Sequence, residues 1–215
     1  MKKIISFIII ATTLILTLAS CSSGSGGVSL IKTTITAEEW AALDEIVNFT
    51  VEITMKQTYT YAGERESYTQ NIVSKLTEDA EYTKESTSYN GEKETDEYYS
   101  FKKDGVTYKM HNNDGEWIAS KANWSPITML ECAEIAEVDF EDITYNSSKK
   151  AYVYTLSQYG VVANFTFYFK NGILSKLECK ASASESGTKM SSEYTMVFSS
   201  VNKTTITLPE YTINN

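Results

Sequence analysis

The 215-residue chain has little of what catalytic and metal sites are usually built from. It contains one histidine, His111, one arginine, Arg65, and three cysteines. No histidine and cysteine cluster has the spacing of a zinc site. No Gly-x-Ser-x-Gly segment or Cys-His pattern supplies the nucleophile and base of covalent catalysis. We therefore expect no enzymatic activity, no bound metal and no cofactor.

The chain also lacks an excess of positive charge. Its formal net charge is -9 and its pI is about 4.8. An acidic protein repels polyphosphates, so nucleic acid is not an expected partner. The same balance argues against a polybasic patch of the kind that anionic lipids attract.

The acidic residues Glu92, Glu94, Asp96 and Glu97 lie together after a turn. Carboxylate oxygens can bind calcium, but the stretch lacks the spaced ligand loop of an EF-hand. The favoured interpretation is a solvated charge run that protects a sheet edge.

The N-terminus has the two parts of an export signal. Lys2 and Lys3 precede an apolar run from Ile4 to Leu18. This run is shorter than the roughly 18–20 residues that span a bilayer comfortably. Residues 1–20 are therefore predicted to be a cleaved signal peptide.

The run ends in Leu18-Ala19-Ser20-Cys21, which resembles the bacterial lipobox. The resemblance implies that the thiol of Cys21 takes a diacylglyceryl group and that cleavage then occurs between Ser20 and Cys21. Two acyl chains are enough for stable attachment. We expect an exported protein held on the cell membrane surface, or on the outer membrane of a Gram-negative cell. Residues 21–28 would be a Ser/Gly tether, and residues 29–215 a single β-rich domain.

The remaining pattern predicts a mainly β fold with two short helices. Thr36 and Glu39 form a capping box ahead of Trp40 and Leu43, and Ser125-Pro126 is expected to open a second helix. Elsewhere the apolar residues recur with period two. Roughly ten such strands are predicted, the first from Asn48 and the last at Thr204–Leu208, several of them separated by Asn-Gly or Asp-Gly turns. They describe one up-and-down antiparallel sheet, curled into a half-barrel or open barrel, with the helices on its concave side.

This order of elements resembles a known group of lipoproteins. A lipobox and tether precede a helix and a long meander, which contains Tyr98–Tyr108 and then Asp114-Gly115-Glu116-Trp117. A further helix follows, and the chain ends near Ile206-Thr207-Leu208-Pro209. The pattern looks like the LolA/LolB and LppX-type fold, whose members carry lipids or lipoproteins in an apolar cavity.

The resemblance implies an apolar or amphiphilic ligand in the concave face. Alternating apolar residues give the expected lining: Val51, Ile53, Trp117, Phe165 and Phe167. The alternative is a cell-surface interaction or structural module with a filled core. A hydrolase is a distant third, because nothing in the sequence favours it.

Cys132 and Cys179 form an even pair in an exported chain. A disulfide and two separate buried thiols both remain open.

Overall fold

The computed structural model describes residues 32–89, 91–158, 160–185 and 187–214. The predicted signal peptide, the tether with Cys21, and Asn90 of one predicted turn lie outside the described residues. The helical segments are α1 (Ala37–Ala41), a 3-10 turn (Ala42–Glu45), α2 (Met129–Cys132) and a second 3-10 turn (Phe140–Asp142). The strands are β1 (Phe49–Tyr61), β2 (Glu64–Leu76), β3 (Ala80–Tyr89), β4 (Glu92–Lys103), β5 (Val106–Asn113), β6 (Glu116–Lys121), β7 (Thr144–Asn146), β8 (Ala151–Gln158), β9 (Val161–Lys170), β10 (Ile173–Glu185), β11 (Thr188–Ser199) and β12 (Tyr211–Asn214).

All twelve strands belong to one sheet, in the order β12-β6-β5-β4-β3-β2-β1-β11-β10-β9-β8-β7. Strands β1 to β6 form one antiparallel meander and β7 to β11 form another. The pairing of β1 with β11 joins them. The edge strands β12 and β7 do not pair, so the sheet stays open. The predicted open antiparallel sheet is confirmed, with one exception: β12 runs parallel to β6.

The Asn171-Gly172 hairpin shows how local sequence sets the register. Both residues have positive φ, at 53° and 79°, as the tight turns of two-residue hairpins require. A Cβ at Gly172 would lie 2.9 Å from Oε1 of Glu39, which is the far end of a flexible side chain, so the positive φ rather than this contact requires glycine.

Register assigns each strand residue to one of two faces, because directly paired residues share a face. Val51 pairs with Phe198, Ile53 with Met196, Met196 with Leu177, and Leu177 with Phe167. The face that carries Val51 and Phe167 is called the inner face, because the helical segments pack on it. The other is the outer face.

The main core lies between the inner face and the helical segments. The Trp40 ring meets Phe167 edge to face at 5.7 Å between centroids, and its Nε1 donates to the Val138 carbonyl at 3.1 Å. The capping box of Thr36 and Glu39 is present as predicted. The Met129 amide donates to the Ile46 carbonyl at 2.8 Å, which ties α2 to the first helical segment.

Two predicted elements are wrong in position. Helix α2 begins after Thr128, whose hydroxyl accepts from the Glu131 amide at 3.2 Å, so Ser125 is not its cap. The segment Thr204–Leu208 is not a strand. The Asn48 side chain bonds both the amide and the carbonyl of Thr204, which holds that backbone out of the sheet. The last strand is therefore Tyr211–Asn214.

Candidate functional site

Four of the five predicted lining residues lie together on the inner face. Val51 and Phe167 are fully buried, Phe165 is 3% exposed, and Ile53 is half-buried beside them. The rings of Phe165 and Phe167 stack at 6.2 Å. These four side chains lie beneath the helical segments and pack against other residues of the same core.

Trp117 does not share that face, so the prediction that all five face the helices is wrong. His111 pairs with both Tyr98 and Ile118, which places Ile118 on the inner face and Trp117 on the outer face. Trp117 packs in a separate apolar cluster with Tyr99, at 5.1 Å between rings, and with Tyr211 of the C-terminal segment.

The inner face continues as a second, less buried surface beyond the helix-covered core. Along the inner face of β1 the side chain is fully buried at Val51, half-buried at Ile53 and Met55, buried at Gln57, half-buried at Tyr59 and 66% exposed at Tyr61. The described chain therefore does not seal this end of the face. We call the half-buried apolar and aromatic residues of this uncovered part of the inner face the open inner surface. They are Met55, Tyr59, Tyr68, Ile72, Leu156, Val161, Met190 and Tyr194.

The open inner surface crosses six adjacent strands, from β2 to β8. At about 4.8 Å between strands, its width is about 24 Å. One leaflet of a bilayer holds acyl chains about 15 Å long, half of the hydrocarbon core. An apolar chain of that length fits within the surface.

The open inner surface has a polar centre but an acidic border. Gln57 lies between Met55 and Tyr59 and is 2% exposed, and its Oε1 accepts from the Tyr59 hydroxyl at 3.4 Å. Among the described residues, β1, β8, β9 and β11 bring no charged side chain to the inner face. The carboxylates of β2, β3 and β4 on this face flank it, namely Glu64, Glu66, Glu85, Glu92, Glu94 and Asp96.

Both described cysteines are free, so the structure contains separate thiols rather than a disulfide. Burial raises the pKa of Cys132 to about 12 and that of Cys179 to about 11. Burial also raises the pKa of Tyr194, which pairs with Cys179. A thiol with such a pKa stays protonated at neutral pH and is a poor nucleophile.

Two further depressions lie on the sheet, one on the outer face and one at the acidic border of the open inner surface. One of about 460 Å³ is on the outer face and is lined mainly by Ser, Thr and Lys side chains, among them Thr58, Ser182 and Lys189. The other, of about 440 Å³, is lined by Glu85, Thr87, Glu94, Thr95 and Asp96. Within the part of the chain that the structure describes, no three His, Cys, Asp or Glu side chains are grouped to hold a metal.

Two solved structures share a distant structural likeness with this chain. A domain described as an outer membrane lipoprotein-sorting protein domain from Vibrio parahaemolyticus is 12% identical, covers 81% of this chain and 92% of its own, and gives a TM-score of 0.27. A DUF1329 family protein from Desulfovibrio piger is 8% identical, covers 80% and 93%, and gives 0.25.

No protein-family model and no curated protein matches the chain. Among the described residues, no helix has the length and apolar character to cross a bilayer.

The sequence did carry a signal for the open inner surface. The period-two pattern of β1 runs past Met55 through Gln57, Tyr59 and Tyr61. Beyond Met55 the inner face of β1 carries no aliphatic residue, and Tyr59 and Tyr61 take that place. This change marks where a strand leaves a sealed core.

Proposed function

We propose that the protein is an exported lipoprotein, held on a membrane by lipid on Cys21, that binds an apolar or amphiphilic ligand without catalysing a reaction. The ligand would lie on the open inner surface, against Met55, Tyr59, Met190 and Tyr194. The single observation that supports this site is the half-buried state of these side chains at the unsealed end of the inner face.

The tight packing of the core argues for a ligand site beyond the core rather than within it. Val51 and Phe167 have no exposed area, and the tightly packed interior of a protein admits a ligand only where side chains leave room. In this proposal Val51, Ile53, Phe165 and Phe167 form the packed core beneath the helical segments, and the ligand contacts Met55 and Tyr194 beyond that core.

Charge limits the kind of ligand. The flanking carboxylates Glu66, Glu85 and Asp96 would repel an anionic headgroup. The half-buried Tyr59 hydroxyl can hydrogen-bond a neutral polar group. We therefore propose a ligand with an apolar chain and a neutral or cationic head.

A probe titration tests this site. Residues 29–215, once circular dichroism has verified a β spectrum, are titrated with a neutral phenylnaphthylamine probe and with an anionic fluorescent fatty acid. Met55→Glu should weaken neutral probe binding about tenfold or more, because it places a charge against an apolar ligand. Thr54→Glu, one residue away on the exposed outer face, is the matched control.

The wild type should bind the neutral probe more tightly than the fatty acid. Equal weakening by both variants would place the probe elsewhere. Absence of binding by the wild type would contradict the proposal.

A second function is favoured by the burial of Val51 and Phe167. A filled core without a ligand fits an interaction or structural module on the cell surface. That module would bind neither probe, and Met55→Glu would change only its stability.

A further inference from the structure

The sheet sorts its charges by face, which the overall charge of -9 conceals. Eleven basic side chains from the strands lie on the outer face, against four carboxylates there, Glu52, Glu97, Glu178 and Glu193. The basic residues are Lys56, Arg65, Lys75, Lys84, Lys93, Lys103, Lys121, Lys170, Lys176, Lys180 and Lys189.

The inner face has the opposite balance. Its strands bring two lysines there, Lys102 and Lys109, and eight carboxylates with described side chains. These are Glu64, Glu66, Glu81, Glu85, Glu92, Glu94, Asp96 and Glu116. The helical segments on the same side add Glu38, Glu39, Asp44, Glu45, Glu131, Glu141 and Asp142. The protein is therefore acidic on its inner side and basic on its outer face.

Aromatic rings accompany the basic residues of the outer face. The ammonium of Lys75 lies 5.7 Å from the centroid of Tyr82, and that of Lys176 lies 5.2 Å from Tyr168. Three aliphatic side chains on this face are exposed, Val162 by 39%, Val197 by 43% and Ile213 by 37%. Lysines beside aromatic rings and single exposed aliphatic residues suit contact with lipid headgroups.

We propose that the outer face docks on an anionic lipid surface. Ion pairs among the described residues engage three of its basic side chains, Lys84, Lys176 and Lys180, so most of its positive charge is available to a partner. The inner carboxylates lie across the thickness of the sheet. At physiological ionic strength charges separated by more than about 8 Å are largely screened. The local excess of positive charge therefore decides the interaction, and it does so whether or not the open inner surface binds a ligand.

Lysine footprinting of the full-length protein tests this docking. The protein is purified from membranes and reconstituted in nanodiscs of phosphatidylcholine alone or with added phosphatidylglycerol. A water-soluble amine reagent then labels exposed lysines. Lys84, Lys103 and Lys180 should label several-fold more slowly in anionic nanodiscs, and high salt should restore their labelling. Lys149 and Lys150, which lie off the sheet between β7 and β8, should label equally in both.

Matched variants assign the effect to the outer face. Each lysine near an anionic surface changes binding about fivefold, so Lys56→Gln, Lys93→Gln and Lys189→Gln together should weaken docking on the order of 100-fold. The protection of Lys84, Lys103 and Lys180 should then be lost. The control, Lys102→Gln with Lys149→Gln and Lys150→Gln, removes the same charge from other surfaces and should keep it.

Equal labelling in neutral and anionic nanodiscs would overturn the proposal. So would protection that persists in the outer-face variant. Protection by a soluble polyanion but not by anionic lipid would also overturn it, because the partner would then be a polymer rather than a membrane.

Discussion

The Phe167→Ala variant tests whether the centre of the inner face is a packed core or a ligand cavity. Phe167 has no exposed area. Its ring meets Trp40 edge to face at 5.7 Å and stacks on Phe165 at 6.2 Å. It pairs with Leu177 on one side and Tyr152 on the other. Truncation therefore leaves a cavity that is enclosed on every side.

The expected loss is about 3–5 kcal/mol, as for other buried Phe→Ala changes. This is a large part of the roughly 5–15 kcal/mol by which a domain is usually stable. Val197→Ala on the outer face is the control. Val197 is 43% exposed, and its truncation should change stability by less than about 0.5 kcal/mol.

The measurement is urea unfolding of residues 29–215, followed by tryptophan fluorescence, since Trp40 contacts Phe167 directly. A much lower urea concentration at the unfolding midpoint, with an unchanged m-value, would show that the variant keeps one native state but is less stable because packing is lost. A loss below about 1 kcal/mol would refute the packing argument, because the space around Phe167 would then already be open.

The remaining predictions concern the anchor, the fold and the thiols. Cys21→Ala should abolish incorporation of a fatty-acid analogue and release the protein from membranes; continued labelling would contradict the lipobox interpretation. Residues 29–215 alone should fold as a mainly β protein, and a far-UV spectrum dominated by helix would refute this. Cys132 and Cys179, with pKa values of about 12 and 11, should react slowly with a maleimide at pH 7 and fully in denaturant. Rapid labelling of both in the native protein would show that the thiols are accessible.

Features set by neighbouring residues were predictable from the sequence. The capping box needs only Thr36 and Glu39, and the hairpin at Asn171-Gly172 needs only two residues with positive φ. Thr128 and Glu131 form an equally local capping box, but the competing Ser125-Pro126 signal led to the wrong helix start.

Features set by distant residues were not predictable. Apolar alternation shows that one side of a strand is buried, but not against what. This sheet has an apolar cluster on each face, since the C-terminal segment brings Leu208 and Tyr211 to Phe101 and Trp117. Trp117 therefore alternates as a core residue should, yet lies on the opposite face from Phe167.

The division of charge between the faces could have been found by following parity through the hairpins. Lys84 and Glu85 are neighbours in β3 and therefore lie on opposite faces. Their strand partners, Glu97 and Asp96, divide in the same way. The net charge of the chain is summed over both faces, so it does not show this division.

Native mass spectrometry of the full-length protein from its own host tests the ligand proposal most directly. Covalent lipid on Cys21 stays in both native and denaturing spectra, whereas a ligand on the open inner surface appears only in the native one. We expect an added mass in the native spectrum that matches a neutral or cationic amphiphile, and we expect Met55→Glu but not Thr54→Glu to reduce its occupancy. Identical native and denatured masses would contradict it and favour the interaction module.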